Sequence, residues 1–429
     1  MSAANFLEKL LGDAEVEWVP VSELFDLKNG YTPSRSNKEF WNSGTIPWFR
    51  MDDIRANGRI LKDSLLKITP EAVKGERLFA GNSIIMATSA TIGEHALITV
   101  PYLANQRFTN LTVKERFETQ TNIKYLFYYC FLLAEWCEKN TTKSSFASVD
   151  MKGFRRFQIP IPCPDDPEKS LAIQGEVVRI LDSFAELTAE LTAELTAELT
   201  ARKKQYNHYR DRLLSFEGGD VEWKPLDEIG EFIRGKRFTK ADYVDEGIDV
   251  IHYGEIYTRY GVYASQALSK VSGAMAGSLR YAQPNDVIIT DVGETVDDVG
   301  KAMAWLGEKQ VAIHDHCYAF RHEMNPKFVA YCMQTSDFIA KKYKYVAQTK
   351  INTLLIRPFG KAKIPVPYPD DPTKSLAEQA RIVAILEKFD TLTTSLSEGL
   401  PREIELREKQ YAYYRDQLLS FPKPDAEAA

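Results

Sequence analysis

The most regular pattern of apolar and polar positions in this chain is a tetrapeptide, Ala-Glu-Leu-Thr, which occurs four times in succession from Ala185 to Thr200. The repeats place a leucine at every fourth position, at Leu187, Leu191, Leu195 and Leu199. Ala, Glu and Leu favour helix, and neither Gly nor Pro interrupts the repeats. The pattern predicts a continuous helix from about Ser170 to Phe216, and its apolar stripe requires a partner helix.

A second copy of this region lies 205 positions further along the chain. Residues 159–172 (IPIPCPDDPEKSLA) return as 364–377 (IPVPYPDDPTKSLA), and residues 202–216 return as 407–421. The leucines that match the first three of the repeats are Leu392, Leu396 and Leu400. The duplication predicts that the two helices pack as an antiparallel pair, a short and imperfect coiled coil because a spacing of four drifts from the 3.6-residue turn. A solvated low-complexity spacer is the alternative.

The two helical regions differ in detail. Gly399 and Pro401 predict a break or kink in the second region, where the first has uninterrupted repeats. Ser375 and Glu378 match a capping box, which predicts the start of the second helix. The first helix is therefore the better candidate for a rigid spacer.

A globular segment precedes each helical region. Short apolar runs such as 46–49 and 84–86 predict strands, and the aromatic-rich run 123–137 predicts a helix. We therefore predict an α+β fold, in which two globular α/β domains are separated by two long antiparallel helices with a pseudo-twofold, circular organisation. The predicted segments are an N-terminal helix fragment that completes the repeat (1–15), the first lobe (16–162), the first helical spacer (163–218), the second lobe (219–367), and the second helical spacer with its tail (368–429).

Length and charge set limits on function. The chain has 429 residues, which suits two or three domains, and a formal net charge of −6. Its five cysteines form no CxxC pair, and neither a targeting segment nor a membrane-spanning apolar run is apparent. These features predict a cytoplasmic protein with reduced thiols and no membrane contact. Because the chain is acidic overall, any surface for nucleic acid must be local.

Basic stretches occur at the same place in both lobes, directly before the IPxP motif. Residues 139–156 contain five Lys or Arg against the single acid Asp150, and residues 341–363 contain seven Lys or Arg and no acid. A solvated charged face is the alternative reading of each stretch. Its recurrence in both copies favours a surface that binds a polyanion.

No catalytic signature is apparent in the sequence. Residues 293–301 (GETVDDVGK) lack the glycine spacing and the Ser or Thr of a phosphate-binding loop, and an exposed acidic loop explains them better than a metal site. His314 and His316 lack a second ligand pair at the spacing of a zinc site. We therefore predict a non-catalytic chain that binds no metal and no cofactor.

Two dissimilar lobes, each followed by IPxPxPDDPxKSLA and a helix ending in QYxxYRDxLLSF, resemble the specificity subunits of type I restriction-modification systems. GYTP (30–33) and IPW (46–48) in the first lobe are similar to landmarks of that family, whereas the second lobe has GKRF and VIHYGEI at those places. The tandem repeats resemble those of the IC subfamily.

The resemblance implies a function in DNA recognition. Each lobe would read one half of a split, asymmetric site in double-stranded DNA, and the helices would bind two modification (M) subunits. Restriction and motor (R) subunits would join through the M subunits. S-adenosylmethionine, ATP and magnesium are expected on these partner subunits, which would carry out adenine-N6 methylation and cleavage.

Base contacts are expected from Arg, Lys, Asn, Gln and His side chains on loops, and phosphate contacts from the basic stretches. The candidates in the first lobe are Arg50, Arg55, Gln106, Arg107, Lys143 and Arg155. The candidates in the second lobe are Arg234, Lys236, Arg237, His252, Tyr253, Lys344 and Lys350. The alternative function belongs to a different class: a protein-interaction scaffold that holds two binding domains on a coiled-coil strut, without DNA. The acidity of the chain is compatible with that alternative.

Overall fold

The computed structural model describes residues 3–142, 147–216, 218–348, 351–394 and 399–423. The chain folds into two compact units: the first contains residues 1–191 and 407–429, and the second contains residues 192–406. Each unit combines one lobe with part of both helical regions. Because both units contain sheets and helices, the predicted α+β fold class is confirmed. The segment boundaries given above stay predictions.

Sheets form the body of the lobe in the first unit. Its first and last strands pair antiparallel, Val16–Pro20 with Gln158–Pro162. The largest sheet has the strand order Phe25–Asn29, Phe108–Val113, Ser83–Ala87, His95–Ile98 and Ile60–Leu61. Smaller sheets join Lys67–Ile68, Ile46–Phe49 and Leu103–Ala104, and Thr141–Thr142 with Ser148–Val149. The helices of this lobe and the segment before it are Ala3–Leu11, Val21–Leu24, Met51–Asn57, Glu115–Glu118, Ile123–Lys139 and Met151–Arg156.

The lobe of the second unit follows the same plan. Val221–Pro225 pairs antiparallel with Lys363–Pro367. The largest sheet has the order Gly230–Arg234, Cys317–His322, Val287–Thr290, Ala302–Trp305 and Tyr263–Ala264. The other sheets have the orders Ser269–Val271, Tyr243–Ile251, Val311–Ile313, Tyr281–Ala282, and Val292–Gly293, Asn352–Leu354, Val346–Ala347. The helices of this lobe are Leu226–Ile229, Tyr253–Thr258, Pro326–Cys332, Ser336–Lys342 and Ile356–Phe359.

The predicted first helix is present as one long helix, Pro167–Ser215. At about 1.5 Å per residue its 49 residues extend for roughly 73 Å. The second region forms two helices, Pro372–Thr394 and Leu400–Leu418, which we call the penultimate and the last helix. Gly399 has a φ of 78° and Pro401 lies in the first turn of the last helix, as expected for a residue that cannot continue a preceding helix.

The predicted capping box at Ser375 and Glu378 is wrong. The penultimate helix begins four residues earlier than that box predicts, because Asp371 caps it: the Asp371 Oδ1 accepts a hydrogen bond from Lys374 N at 2.9 Å. Asp166 caps the long helix in the same way, accepting from Lys169 N at 3.1 Å. The repeated Asp-Asp-Pro motif explains both starts, since Pro suits the first helical position and Asp suits the cap before it.

The leucines of the repeats lie on the surface of the long helix. The side chain of Leu187 is 51% exposed, and Leu191, Leu195 and Leu199 are half-buried. Leu400 is half-buried at the start of the last helix, the side chain of Leu392 is outside the described part of the structure, and Leu396 lies outside the described residues. Packing of these leucines against one another stays a prediction.

Aromatic residues provide contacts between the helical regions within each unit. In the first unit, Phe184 stacks on Tyr414, with ring centroids 5.8 Å apart. In the second unit, Tyr209 stacks on Phe389 at 6.0 Å. Phe389 and Tyr414 occupy the repeat positions of Phe184 and Tyr209, so the same contact is made twice with the roles of the two copies exchanged.

This exchange extends into the hydrophobic cores. The core of the first unit contains Ile173, Val177 and Leu181 of the long helix together with Leu419 and Phe421 from the second copy. The core of the second unit contains Tyr206 and Leu214 of the long helix together with Ile382 and Leu386 of the penultimate helix. Helix ends from both copies are therefore needed to complete each core.

Candidate nucleic-acid interface

The candidate interface is formed by loops that follow the strands of each lobe, and backbone hydrogen bonds hold these loops together. The central element in the first lobe is the 105–108 turn (Asn105–Phe108), closed by a bond from Phe108 N to Asn105 O at 3.1 Å. The bonds around it run from Gly30 N to Phe108 O (2.9 Å), from Tyr31 N to Ala104 O (2.8 Å), from Asn105 N to Phe49 O (3.0 Å), from Thr88 N to Arg107 O (3.0 Å) and from Val149 N to Thr88 O (3.0 Å).

The second lobe repeats this arrangement around the 314–317 turn (His314–Cys317), closed by a bond from Cys317 N to His314 O at 2.8 Å. The equivalent bonds run from Gly235 N to Cys317 O (2.9 Å), from Lys236 N to Ile313 O (3.0 Å), from His314 N to Ile251 O (3.1 Å), from Asp291 N to His316 O (3.1 Å) and from Leu354 N to Asp291 O (2.7 Å). We call this set of backbone bonds, present in both lobes, the framework. Because the bonds use only the backbone, the exposed side chains can differ between the two lobes without breaking them.

Glycine is required where the first loop meets the turn. A Cβ on Gly30 would lie 2.3 Å from the carbonyl oxygens of Ala104 and Asn105, and a Cβ on Gly235 would lie 2.1 Å from that of His314. These distances are far below van der Waals contact. The loop therefore approaches the turn closely enough for its N–H groups to bond only if this residue has no side chain.

Arg50 and His252 occupy the same position in the two lobes. Each is the residue between a strand and a short helix, and each backbone N–H is accepted by a carboxylate three residues later: Arg50 N by Asp53 Oδ2 at 2.6 Å, and His252 N by Glu255 Oε2 at 3.0 Å. The Arg50 guanidinium pairs with Asp52 at 3.1 Å. The bond from Asn105 N to Phe49 O places the backbone of Arg50 next to the 105–108 turn, which carries Gln106 and Arg107.

A buried carboxylate orients the 314–317 turn. Asp291 is 4% exposed, and its Oδ1 bonds Nδ1 of His316 at 3.0 Å. Burial raises the pKa of Asp291, and the bond to His316 partly opposes that shift. Arg234 lies on the other side of this carboxylate, 3.7 Å from its Oδ2, and donates from Nε to the carbonyl of Asp315 at 3.1 Å. These contacts make Arg234 a group that positions the turn.

Aromatic rings pack around the same turn. The His252 ring lies 4.4 Å from the rings of both Tyr253 and His314, and the Tyr253 ring contacts His316 at 5.4 Å. Burial, followed by the nearby His252, lowers the pKa of His314 to about 4, and burial also lowers the pKa of His252. Nδ1 of His314 accepts from His316 N, and Nδ1 of His252 accepts from Gly254 N. Because both pKa values are lowered from an ordinary value near 6.5, both imidazoles are neutral near pH 7.

The first lobe presents different side chains on the same framework. Gln106 and Arg107 are exposed, and Gln106 accepts a hydrogen bond from the Thr32 hydroxyl. Within the described residues, the Arg107 guanidinium has no ion-pair partner. Nearby, the Arg35 guanidinium lies 4.5 Å from the Trp41 ring, which keeps this cation on the loop that starts at Gly30.

The remaining candidates lie outside the 105–108 and 314–317 turns, on neighbouring loops and helices. Lys236 and Arg237 are exposed on the loop that follows Gly235. Arg55, at the far end of the helix that starts after Arg50, pairs with Glu94 at 3.3 Å. Arg155 is exposed near the end of Met151–Arg156, and Lys344 is exposed beside the Tyr345 ring. Lys143 and Lys350 lie outside the described residues. A contact of any candidate with DNA stays a prediction.

His314 and His316 are absent from the predicted DNA contacts, because in the sequence they resemble only a possible pair of zinc ligands. Among the described residues, no group of three or more His, Cys, Asp or Glu side chains is arranged to hold a metal ion. A signal was available: the turn follows a short apolar strand, as Gln106 and Arg107 do. In the part of the chain that the structure describes, no helix is both long and apolar enough to cross a bilayer.

The chain contains two lobes with the same arrangement of strands, and duplicated helices follow them. Each lobe carries exposed polar loops on the shared framework. These features are typical of proteins with paired recognition domains. A family model described as the type I restriction modification DNA specificity domain matches residues 14–201 and again residues 219–406. The chain belongs to this family.

Named relatives agree with the family assignment. This chain is 47% identical to the specificity subunit of the type I restriction enzyme EcoprrI of Escherichia coli, over 400 residues that cover 93% of each chain. It is 34% identical to the EcoR124I/EcoR124II specificity subunit of the same species, over 99% of each chain. A chain solved in a study of complex assembly and conformational transition of the type I R-M system has a similar fold, with a TM-score of 0.63 at 15% identity over 94% of this chain and 97% of that one.

Proposed function

We propose that this chain is the specificity subunit of a type I restriction-modification enzyme. Each lobe binds one half of a split, asymmetric site in double-stranded DNA, and the chain directs its partner subunits to that site. The observation that carries the proposal is the shared framework: the same backbone bonds hold the 105–108 turn and the 314–317 turn, but the exposed side chains differ. One scaffold with two sets of side chains is what recognition of two unlike half-sites requires.

The charges near the framework support a DNA surface on an acidic chain. The basic stretches 139–156 and 341–363 reach the framework through Val149 and Leu354, whose N–H groups bond Thr88 O and Asp291 O. Arg155 and Lys344 are exposed on these stretches and are proposed to contact phosphates. Side chains nearer the turns are proposed to contact bases: Arg50, Gln106, Arg107, Lys236, Arg237, His252 and Tyr253.

The chemistry belongs to the partner subunits. We propose that two M subunits bind the helical regions, that R subunits join through them, and that S-adenosylmethionine, ATP and magnesium bind those partners. The specificity chain itself is non-catalytic and supplies recognition. A protein-interaction scaffold without DNA is the alternative, and neither the family model nor the relatives favour it.

The experiment is methylation of plasmid DNA by the chain co-purified with its own M subunits, followed by single-molecule sequencing of adenine methylation. The proposal predicts one split, asymmetric motif, and M subunits without this chain serve as the control. Retention on duplex DNA and heparin is measured in parallel, with and without M subunits. A complex that methylates no specific site and is retained no better than the M subunits alone would overturn the proposal and favour the scaffold.

A further inference from the structure

The 105–108 and 314–317 turns are each held by backbone hydrogen bonds to three separate segments of their lobe. Each turn is bonded to the loop after Gly30 or Gly235, to the end of the strand before Arg50 or His252, and to Thr88 or Asp291. A turn held by several backbone bonds to separate strands presents its side chains in a fixed position, which lowers the entropic cost of binding.

The two turns align residue by residue, because equivalent backbone bonds define the alignment. Asn105 corresponds to His314 and Phe108 to Cys317, so Arg107 corresponds to His316. Phe108 and Cys317 are fully buried, whereas Arg107 is exposed and the His316 side chain is 39% exposed. At this position, therefore, the framework carries a solvent-facing donor or acceptor in both lobes.

The chemistry at this position differs between the lobes. Arg107 offers a forked cation, the group best suited to guanine O6 and N7 in the major groove. His316 bonds the buried Asp291 through Nδ1, and within the described residues its Nε2 has no hydrogen-bond partner. With the ring held by Asp291 and by the Tyr253 ring 5.4 Å away, Nε2 offers one directed hydrogen bond to a base edge.

We propose that Arg107 and His316 are equivalent specificity-determining residues, each reading a base pair in a different half of the DNA site. The proposal rests on the function proposed above and adds the residues that set specificity. Asp291 and Arg234 act as positioning residues, since they hold the turn and its histidine rather than face the DNA. In the first lobe Thr88 occupies the position of Asp291, since Thr88 N bonds Arg107 O as Asp291 N bonds His316 O. Arg107 therefore has no equivalent carboxylate that orients it.

The test uses the full chain with its M subunits and compares wild type, Arg107→Ala and His316→Ala. Binding is measured by competition on duplexes in which each base pair of both half-sites is changed in turn. A base pair read by one side chain contributes about 5- to 150-fold in discrimination. We expect each variant to lose that discrimination at one or two adjacent positions of one half-site, with the two variants affecting different half-sites. Each variant is thus the control for the other.

Two results would overturn the proposal. The first is wild-type discrimination at every position in both variants. The second is an equal loss of affinity for all duplexes, which would make these residues phosphate contacts. If His316→Ala does not co-purify with M subunits, His316→Phe replaces it, because its ring keeps the packing against Tyr253 and offers a base neither a donor nor an acceptor, and the same outcomes apply. If the wild-type complex itself prefers no site, the proposed function fails instead, so the two failures are distinguishable.

Discussion

A buried amide, that of Gln174, joins the first lobe to the long helix, and its removal should destabilise the first unit by an amount that follows from its hydrogen bonds. Gln174 is fully buried. Its Oε1 accepts from Asn122 N at 2.8 Å, and its Nε2 donates to Gln120 O at 2.8 Å and to Ser170 Oγ at 2.9 Å. Asn122 is also the N-cap of the helix Ile123–Lys139, so this amide joins two helices of the first unit.

Gln174→Met keeps the size of the side chain and removes its hydrogen bonds. Gln120 O keeps a weaker partner, the Ser170 hydroxyl at 3.3 Å, but Asn122 N–H is left without its acceptor. A buried donor without a partner costs about 1–3 kcal/mol, and the other lost bonds contribute about 1 kcal/mol. We therefore expect the free energy of unfolding of the first unit to fall by about 2–4 kcal/mol.

Urea denaturation and hydrogen exchange of the purified chain test this value. Exchange of amides near Asn122 should accelerate roughly 30- to 900-fold, the factor that corresponds to 2–4 kcal/mol. Gln379→Met is the matched variant in the second unit, where Gln379 accepts from Asn325 N at 2.8 Å, and its effect should be confined to that unit. Gln205→Met on the exposed face of the long helix is the control. A loss below about 0.5 kcal/mol for Gln174→Met, or an equal loss for the control, would refute the reasoning.

Three further predictions concern the spacer, the framework and pH. Deleting one tetrapeptide, Ala193–Thr196, shortens the long helix by ~6 Å and rotates its far end by ~40°, and one base pair turns the duplex by ~35°. We therefore expect methylation mapping to show that the gap between the two half-sites is one base pair shorter. An unchanged gap would show that the helix length does not set the gap. Gly235→Ala places a Cβ 2.1 Å from a carbonyl oxygen and should lower the free energy of unfolding, measured by thermal denaturation, by about 1–3 kcal/mol. The control is Gly261→Ala, whose Cβ would have no atom within 4 Å, and equal melting temperatures for the two variants would contradict the prediction. Burial lowers the pKa of His95 to about 3, below its unfolded value near 6.5, so its contribution to stability is complete above pH 6.5 and is lost as the pH falls, by about 1.4 kcal/mol per pH unit. His95→Gln should flatten urea stability between pH 7 and 5 relative to wild type and to the exposed-site control His208→Gln, and parallel curves for all three chains would count against it.

The helical regions were the most predictable part of the chain, because a repeated sequence must form repeated local structure. The Ala-Glu-Leu-Thr repeats contain strong helix formers, and the observed helix extends from Pro167 to Ser215. The interruption near Gly399 was also predictable, since neither glycine nor proline favours a helix interior. The cap was mispredicted because Ser375 and Asp371 are both plausible N-caps, and local sequence does not rank them.

The candidate interface was only partly predictable. Loop position and residue type predict Arg50, Gln106, Arg107 and His252 as contacts, and their contact with DNA stays a prediction. The structure adds that the strand before Arg50 bonds the 105–108 turn and that the His252 ring packs against His314 of the 314–317 turn. Sequence could not show that His316 corresponds to Arg107, because the lobes share little identity and the equivalence is carried by backbone hydrogen bonds. It also could not distinguish Arg234 as a positioning residue, since its partners Asp291 and Asp315 are distant in sequence.

The sequence alone determined the duplication, the long helix and the two basic stretches on a chain that is acidic overall. These properties are local or periodic, so they can be read from neighbouring residues. Only the tertiary structure decided which residues complete each core and which side chains stand on the same framework. Pairs such as Phe184 with Tyr414, or Asp291 with His316, meet because sheets and helices bring distant positions into contact, and the chemical identity of the residues does not specify that meeting.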